Sequence, residues 1–426
     1  MKKTITILGG GTFSHVRSHL ALSAPAFGET ARKLWGIAGF KFQNMDINLV
    51  LTKMADHKSQ IVTNEDVSDF VDQLINENLT KIIFFNVAMT DYDGKIGKVE
   101  SGKYAERLNT FDGVQSMELT PKEKVIAKIR KKRKDIFLVA FKTTSNATKE
   151  EMFLKGLNLM KKNSCNLVLV NDLVTRENMI ITPEESTYSV TTDRDAALTE
   201  LVEMAYLRSH LSFTRSTVVD GKPVAWNSDE VYPSLREVVN FCVKEGAYKT
   251  FNGATVGHFA CKLTENTFLT SIRKTNFNDI EKNGLVKVVT DGDDSVIAYG
   301  AKPSVGGQSQ RLVFSNHPEF DCIVHFHCPL LPNPKNNIPT VSQREFECGS
   351  HQCGENTSNG IKEFEDGKIG CVMLENHGPN IIFNHSIDPQ LVIDFIINNF
   401  ELDKKTLGFS KENIFSRIDH STESVY

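Results

Sequence analysis

The chain has 426 residues, 40% hydrophobic and 24% charged, with a formal net charge of −4. That length exceeds what one core fills, so two domains are expected, and the mild negative charge excludes a general nucleic-acid or membrane-surface binder. No apolar run approaches the roughly 18 residues of a membrane span, and "MKKTITILGGGTF" is too short in its apolar part for a signal peptide.

A cytoplasmic location is therefore expected, and the eight cysteines read as buried thiols or ligands rather than disulfides. In the first half, short β-rich runs ("KTITILGGG", "INLVLT", "KIIFFNVAMTD", "DIFLVAFKTTS", "CNLVLVND") alternate with helix-like stretches ("GETARKLWGIAGF", "NEDVSDFVDQLINEN", "TPKEKVIAKIRKKRK", "TKEEMFLKGLNLMKKN"). This alternation predicts a parallel sheet covered on both faces, with ligands beyond the C-terminal strand ends. Thr63 with Asp66, and Thr148 with Glu151, have capping-box spacing. The cationic run "KIRKKRK" suits a solvated helix C-terminus. A helix, "DAALTELVEMAYLRSHL", closes the half, and residues 213–232 read as a linker.

Gly9, Gly10, Gly11 and Thr12 follow the first strand, where glycines allow either backbone approach to a phosphate or a tight turn. Asn86, Thr90, Asp91, Lys142, Asn171 and Asp172 lie at strand ends. Singly each suits a turn or cap; together they point to a nucleotide site. With "GGGT", the pieces "VRSHLALSAPAFG", "NVAMTDYDGKIGK", "LTPKEKVIAKI", "LVAFKTTSN" and "LVLVNDLVTRE" resemble the phosphopantothenate–cysteine ligase family over residues 3 to about 210. The resemblance implies activation of a carboxylate by CTP or ATP with Mg2+, followed by amide formation. It implies nucleotide contacts from Asp91, Lys142 and Asn171, with Lys142 also catalytic, and triphosphate neutralisation by Lys98 or Lys103. Arg17 would meet the acid substrate. The family's asparagine in "N-x-S-S-G" is replaced by Ala21.

The second half opens on an amphipathic helix with Pro233 at its start. Short β-like pieces follow, then a helix in "DPQLVIDFIINNFELDKK". In "CIVHFHCPL", His325 and His327 share a strand face opposite Phe326 and could chelate one cation or be core histidines. "CVMLENHGPNIIF" reads as another strand, with His377 at its polar end. Three histidines on strand ends suit a catalytic zinc site with an open position.

"H-x-H-x-P" followed by "N-H-G" resembles the class II aldolase/adducin family over residues 233 to about 405. "FNGATVGHFACKL", "FLTSIRKTNFNDIEKNGLVKV" and "AKPSVGGQSQRLVFSNHPEF" extend the resemblance. It implies Zn2+ or another divalent metal on His325, His327 and His377, and a lyase that polarises a carbonyl. Asn252, Thr270, Ser271 and Ser304 would grip a substrate phosphate. Gly307 stands where the family has its acid/base glutamate. The polar stretch 344–360 is expected to be an active-site loop supplying Glu347 or Cys348, the alternatives being a plain loop or a separate zinc knuckle with His351 and Cys353. Glu375, on the face of His377, is a second carboxylate.

The expectation is an α/β protein: a Rossmann-like parallel-sheet domain (1–212), a linker (213–232), a class II aldolase-like α/β/α domain (233–410) and a polar tail (411–426). It is a two-domain metabolic enzyme acting on phosphorylated small molecules and a nucleoside triphosphate, binding neither nucleic acid nor membrane, and homo-oligomeric by resemblance. The alternatives are activity in the zinc domain alone, or a non-catalytic metabolite-binding or scaffold protein.

Overall fold

A computed structural model describes residues 2–293, 295–304 and 307–406; the expected tail, 411–426, lies outside them. The chain divides into two compact units. The first comprises Met1–Pro183 and Ser189–Ser209; the second comprises Glu184–Tyr188 and the residues from His210 onward.

The sheet of the first unit orders its strands Thr187–Thr191 (of which Ser189–Thr191 belong to this unit), Asn178–Ile181, Leu167–Asp172, Phe137–Thr144, Thr80–Ala88, Thr4–Gly11, Asp46–Leu51. The five from Leu167–Asp172 to Asp46–Leu51 run parallel, and Asn178–Ile181 is antiparallel to its neighbour. Ile5, Ile7, Leu8, Leu167, Val168, Leu169 and Val170 are all buried, as sheet residues covered on both faces must be. Helices Glu29–Lys41, Asn64–Asn76 and Lys149–Asn163 connect strands of the sheet, and helix Arg194–Arg208 follows its last strand in the sequence. Thr63 and Thr148 form complete capping boxes with Asp66 and Glu151. The helix expected across "TPKEKVIAKIRKKRK" is only Ala127–Lys132, because its first residues belong to strand Met117–Pro121, paired with Tyr92–Ile96. Gly9 and Gly11 are set by packing: a Cβ would meet Ala31 Cβ at 2.3 Å and Ala24 O at 2.0 Å respectively.

The second unit is built on a mainly antiparallel sheet ordered Arg215–Val219, Ser295–Tyr299, Leu285–Thr290, Thr267–Ser271, His258–Thr264, Cys322–His325, Gly378–Phe383, Ile369–Leu374, Thr340–Val341, with Lys362–Phe364 beside Ile369–Leu374. Residues 213–232, read as a linker, are therefore not one throughout. Arg215–Val219 pairs in parallel with Ser295–Tyr299, its β-branched residues satisfying an otherwise open edge.

Alternation sorts the core onto two faces. Phe259, Cys261, Cys322, Val324 and Ile381 face helices Pro233–Lys244 and Pro389–Asn399, whereas Ala260, Phe268, Ile323 and Ile382 face Val313 and Phe314 of helix Gly307–Asn316. His258 and His325 share the second parity and stand opposite each other in register.

Two further expectations are corrected. "CVMLENHGPNIIF" is not one strand but a hairpin, Ile369–Leu374 and Gly378–Phe383, joined by a turn at 375–377 in which Asn376 has φ 53°. Asparagine tolerates that left-handed conformation, and the turn removes the shared face expected of Glu375 and His377. Residues 351–360 are not loop but helix His351–Gly360, started by Ser350, whose hydroxyl accepts from Cys353 N at 3.0 Å.

Candidate metal centre

His325 ends its strand, and His327 continues the alternation past it: Phe326 turns into the apolar core, edge-on to Tyr248 and Phe400, while both histidines turn the other way. His377 arrives on the hairpin turn. Gly378 permits this, since a Cβ there would sit 2.0 Å from Phe326 O; no side chain fits where the turn presses on the histidine strand.

The three imidazoles are buried and face one another through the same ring atom. His377 Nε2 lies 3.2 Å from His325 Nε2 and 3.1 Å from His327 Nε2. In a tetrahedron with Zn–N of about 2.0–2.1 Å, ligand nitrogens are roughly 3.3–3.4 Å apart, so the spacing fits a small divalent cation. His325 Nδ1 donates to Pro379 O at 2.8 Å, which places its proton on Nδ1 and leaves the Nε2 lone pair pointing inward.

Burial pushes the His325 pKa down to about 4. Burial, with the neighbouring His327, His325 and Lys405, pushes His377 well below its ordinary value. Neutral imidazoles are the form a metal requires. His377 Nδ1 is buried without a hydrogen-bond partner among the described residues. The trio is also the one cluster of three or more His, Cys, Asp or Glu with converging ligand atoms among the described residues.

Residues not singled out from the sequence complete the surroundings. His258 lies against His325 with ring centroids 4.7 Å apart and planes tilted by 34°, and its Nδ1 meets the Gln310 amide, whose Oε1 accepts from Thr270 at 3.0 Å. Glu185 and Lys405 both reach His327 Nδ1, at 2.9 and 3.1 Å. Nothing in "TPEESTY" or "DKKTLG" marks these two, because each is joined to the centre only by tertiary contacts.

The other expected residues fall as follows. Glu375 is exposed in the hairpin turn, its Oε2 accepting from Ser342 at 3.2 Å. Glu347 is half-buried, and its carbonyl accepts from Ser350 N. Cys348 is hydrogen-bonded to Cys353, a contact that lowers the Cys353 thiol pKa, while the His351 ring meets Thr214 Oγ1 at 2.8 Å, so the three do not converge as a knuckle. Ser271 and Ser304 adjoin through a main-chain hydrogen bond of 3.0 Å. The Ser271 hydroxyl is buried with no partner among the described residues. Thr270 is occupied by Gln310 and Phe259 O, and Asn252 is exposed with φ 49°. Gly307 begins helix Gly307–Asn316.

In the first unit, Thr12 donates to Asn64 Oδ1 at 2.6 Å and accepts from Thr90 N at 3.0 Å, while Asn64 Nδ2 donates to Thr90 O at 2.8 Å. Arg17 is buried and donates to the carbonyls of Val16, Val99 and Ile96. Ala21 pairs with His15 in the adjoining hairpin. Asp91 is ion-paired with Lys124. Lys98 and Lys103 are exposed, the latter with Nζ 5.6 Å from the Tyr104 ring centre. Lys142 is half-buried on strand Phe137–Thr144, where it pairs with Val170; Asn171, the next residue of Leu167–Asp172, pairs instead with Thr143.

Residues 236–382 match the family model for the class II aldolase and adducin N-terminal domain. His325, His327 and His377 lie inside that match. No curated protein matches the chain. Among solved structures, a DNA/pantothenate metabolism flavoprotein from Streptococcus pneumoniae is 17% identical, covering 48% of this chain and 99% of its own, with a TM-score of 0.40. The C-terminal domain of the coenzyme A biosynthesis bifunctional protein CoaBC is 11% identical over 48% of this chain and 94% of its own, TM-score 0.35. An L-fuculose 1-phosphate aldolase is 16% identical over 37% of this chain and 79% of its own, TM-score 0.27. Among the described residues, no helix is long and apolar enough to cross a membrane.

Proposed function

We propose that the second unit is a metal-dependent lyase, of aldolase, epimerase or dehydratase type, acting on a phosphorylated polyol or keto substrate. The observation that carries this reading is the approach of three buried Nε2 atoms to 3.1–3.2 Å, together with the family match over 236–382. His325, His327 and His377 would hold Zn2+ or a similar cation, which when bound would polarise a substrate carbonyl. Ser271 and Ser304 would orient the phosphate, with Thr270 fixing the strand beneath them and Asn252 reaching from its exposed turn. Glu375 is offered as the proton-transfer carboxylate, because it is exposed on the same turn as His377; Glu347 is the other candidate.

The first unit is read as a nucleotide-binding domain that takes CTP or ATP with Mg2+ and activates a phosphorylated carboxylate. Its support is the parallel sheet with Lys142 and Asn171 on neighbouring strands at their C-terminal ends.

Metal analysis of the purified full chain tests the first reading. About one metal ion per chain, removable by a chelator with loss of thermal stability, is expected; a chain that takes up no stoichiometric Zn2+, Co2+ or Mn2+ overturns it. A thermal-shift titration with CTP and ATP tests the second. Stabilisation that weakens about tenfold in Lys142→Ala is expected, and no stabilisation by either nucleotide defeats it.

A further inference from the structure

Five residues that sequence order would assign to the first half, Glu184–Tyr188, belong to the second unit. They are fastened to the hairpin turn carrying His377: Ser186 Oγ donates to Asn376 O, and Asn376 Nδ2 donates to Thr187 O at 3.4 Å. The excursion buries Glu185 to 2% exposure and sets its Oε2 2.9 Å from His327 Nδ1.

A second segment approaches the same nitrogen from the far end of the sequence. Thr406 N donates to His327 O at 2.8 Å and Glu401 N to Pro329 O at 3.0 Å, so residues 401–406 lie along the histidine strand. Lys405, fully buried, thereby places Nζ 3.1 Å from His327 Nδ1 and 3.9 Å from Glu185 Oε2.

One ring nitrogen thus has a carboxylate and an ammonium as outer neighbours, and it can serve only one at a time. Without a proton, Nδ1 accepts from Lys405; the ring proton is then on Nε2, and Nε2 cannot bind a cation. With a proton, Nδ1 faces a second donor in Lys405 and needs an acceptor, and Glu185 Oε2 is an acceptor 2.9 Å away. In the structure both groups approach the nitrogen at once, Glu185 Oε2 at 2.9 Å and Lys405 Nζ at 3.1 Å.

We propose that Glu185 and Lys405 are opposed positioning residues of the metal centre: Glu185 holds His327 in the metal-binding tautomer, and Lys405 competes for the same nitrogen in the metal-free protein. This rests on the reading that the three histidines bind a metal. It assigns the carboxylate beside the centre an outer role, because its contact is with Nδ1, the ring atom turned away from the other two histidines. It also makes a segment numbered among the first-half residues part of the centre's own machinery.

The signs of the two effects differ, and that separates positioning from mere structural damage. Full-length protein stripped of metal is titrated with Zn2+ against a chromophoric chelator, with far-UV circular dichroism confirming each variant's fold. Glu185→Ala is expected to weaken Zn2+ binding about 10–100-fold, and the isosteric Glu185→Gln, which tests the position should the alanine variant not fold, to weaken it less. Lys405→Met is expected to leave binding unchanged or tighten it, since it removes both a competitor and a nearby positive charge.

A folded Glu185 variant within twofold of wild type in both substitutions overturns the proposal, as does more than twofold weakening in Lys405→Met. Wild-type protein that takes up no Zn2+ would instead overturn the metal reading beneath it.

Discussion

The two units treat polar residues at strand ends in opposite ways. In the first, Thr12, Asn64 and Thr90 close a buried network on one another, and Asp172 accepts from the main-chain N–H groups of Asn146, Ala147, Val174 and Thr175 and from the Thr144 hydroxyl. In the second, three imidazoles turn the same nitrogen toward a common point, and the Ser271 hydroxyl is buried without a partner among the described residues. Buried polar groups are ordinarily hydrogen-bonded. A set satisfied from within holds the fold together, whereas a set left open, at a cost in stability, is positioned for something else.

The largest expected effect lies at the open set. His325→Ala or His377→Ala removes one of the three proposed ligands and is expected to lower metal affinity by at least about 100-fold, read as metal per chain after gel filtration. Retention of one tightly held ion in either variant would show that the trio is not the ligand set.

At the satisfied set, the effect is on folding instead. Asn64→Ala leaves the Thr12 and Thr90 hydroxyls and Thr90 O without their shared partner and is expected to cost roughly 2–4 kcal/mol. Urea denaturation followed by a first-unit probe measures it. A loss below about 0.5 kcal/mol would remove the distinction drawn between the units.

Asp172 adds a pH signature. Burial by itself would raise its pKa, but hydrogen bonds from Ala147, Thr175, Thr144 and Val174 outweigh burial and hold the carboxyl well below the usual range. A depressed folded pKa contributes stability that is present above the unfolded value, about 3.9, and lost as pH falls through the folded value. Asp172→Asn is therefore expected to be less stable than wild type at neutral pH, with the gap narrowing below about pH 4. A gap that stays constant down to pH 2 would contradict this account.

Much of the fold was legible because the relevant signals are local. The apolar runs of the first half, the two capping boxes and the parity of "CIVHFHC" all depend on residues within a few positions of one another. The three histidines were legible for the same reason: two share a strand parity and the third precedes a glycine. What escaped depends on tertiary placement. Arg215–Val219 looks like linker until a parallel edge is there to receive it. The turn within "LENHGPN" turns on Asn376 adopting a positive φ, and the helix at 351–360 turns on a serine cap before a run of weak helix formers. Glu185 and Lys405 reach His327 from positions 142 residues before it and 78 after it, by the difference of their residue numbers, and no spacing rule spans such distances.

The smallest expected effect on stability is the sharpest test of the contrast. Ser271 sits at the end of strand Thr267–Ser271 with its hydroxyl buried and no partner among the described residues, while its carbonyl accepts from Ser304 N. Deleting a satisfied buried hydroxyl destabilises; deleting an unsatisfied one removes a desolvation penalty and leaves the main-chain bond in place. Ser271→Ala is thus expected to change stability by no more than about 0.5 kcal/mol, in either direction, while weakening the binding of inorganic phosphate or a phosphorylated substrate, measured by calorimetry on the metal-loaded chain. A loss above about 1.5 kcal/mol would mean that the hydroxyl helps hold the fold, as Thr12 does, and is not held open for a ligand.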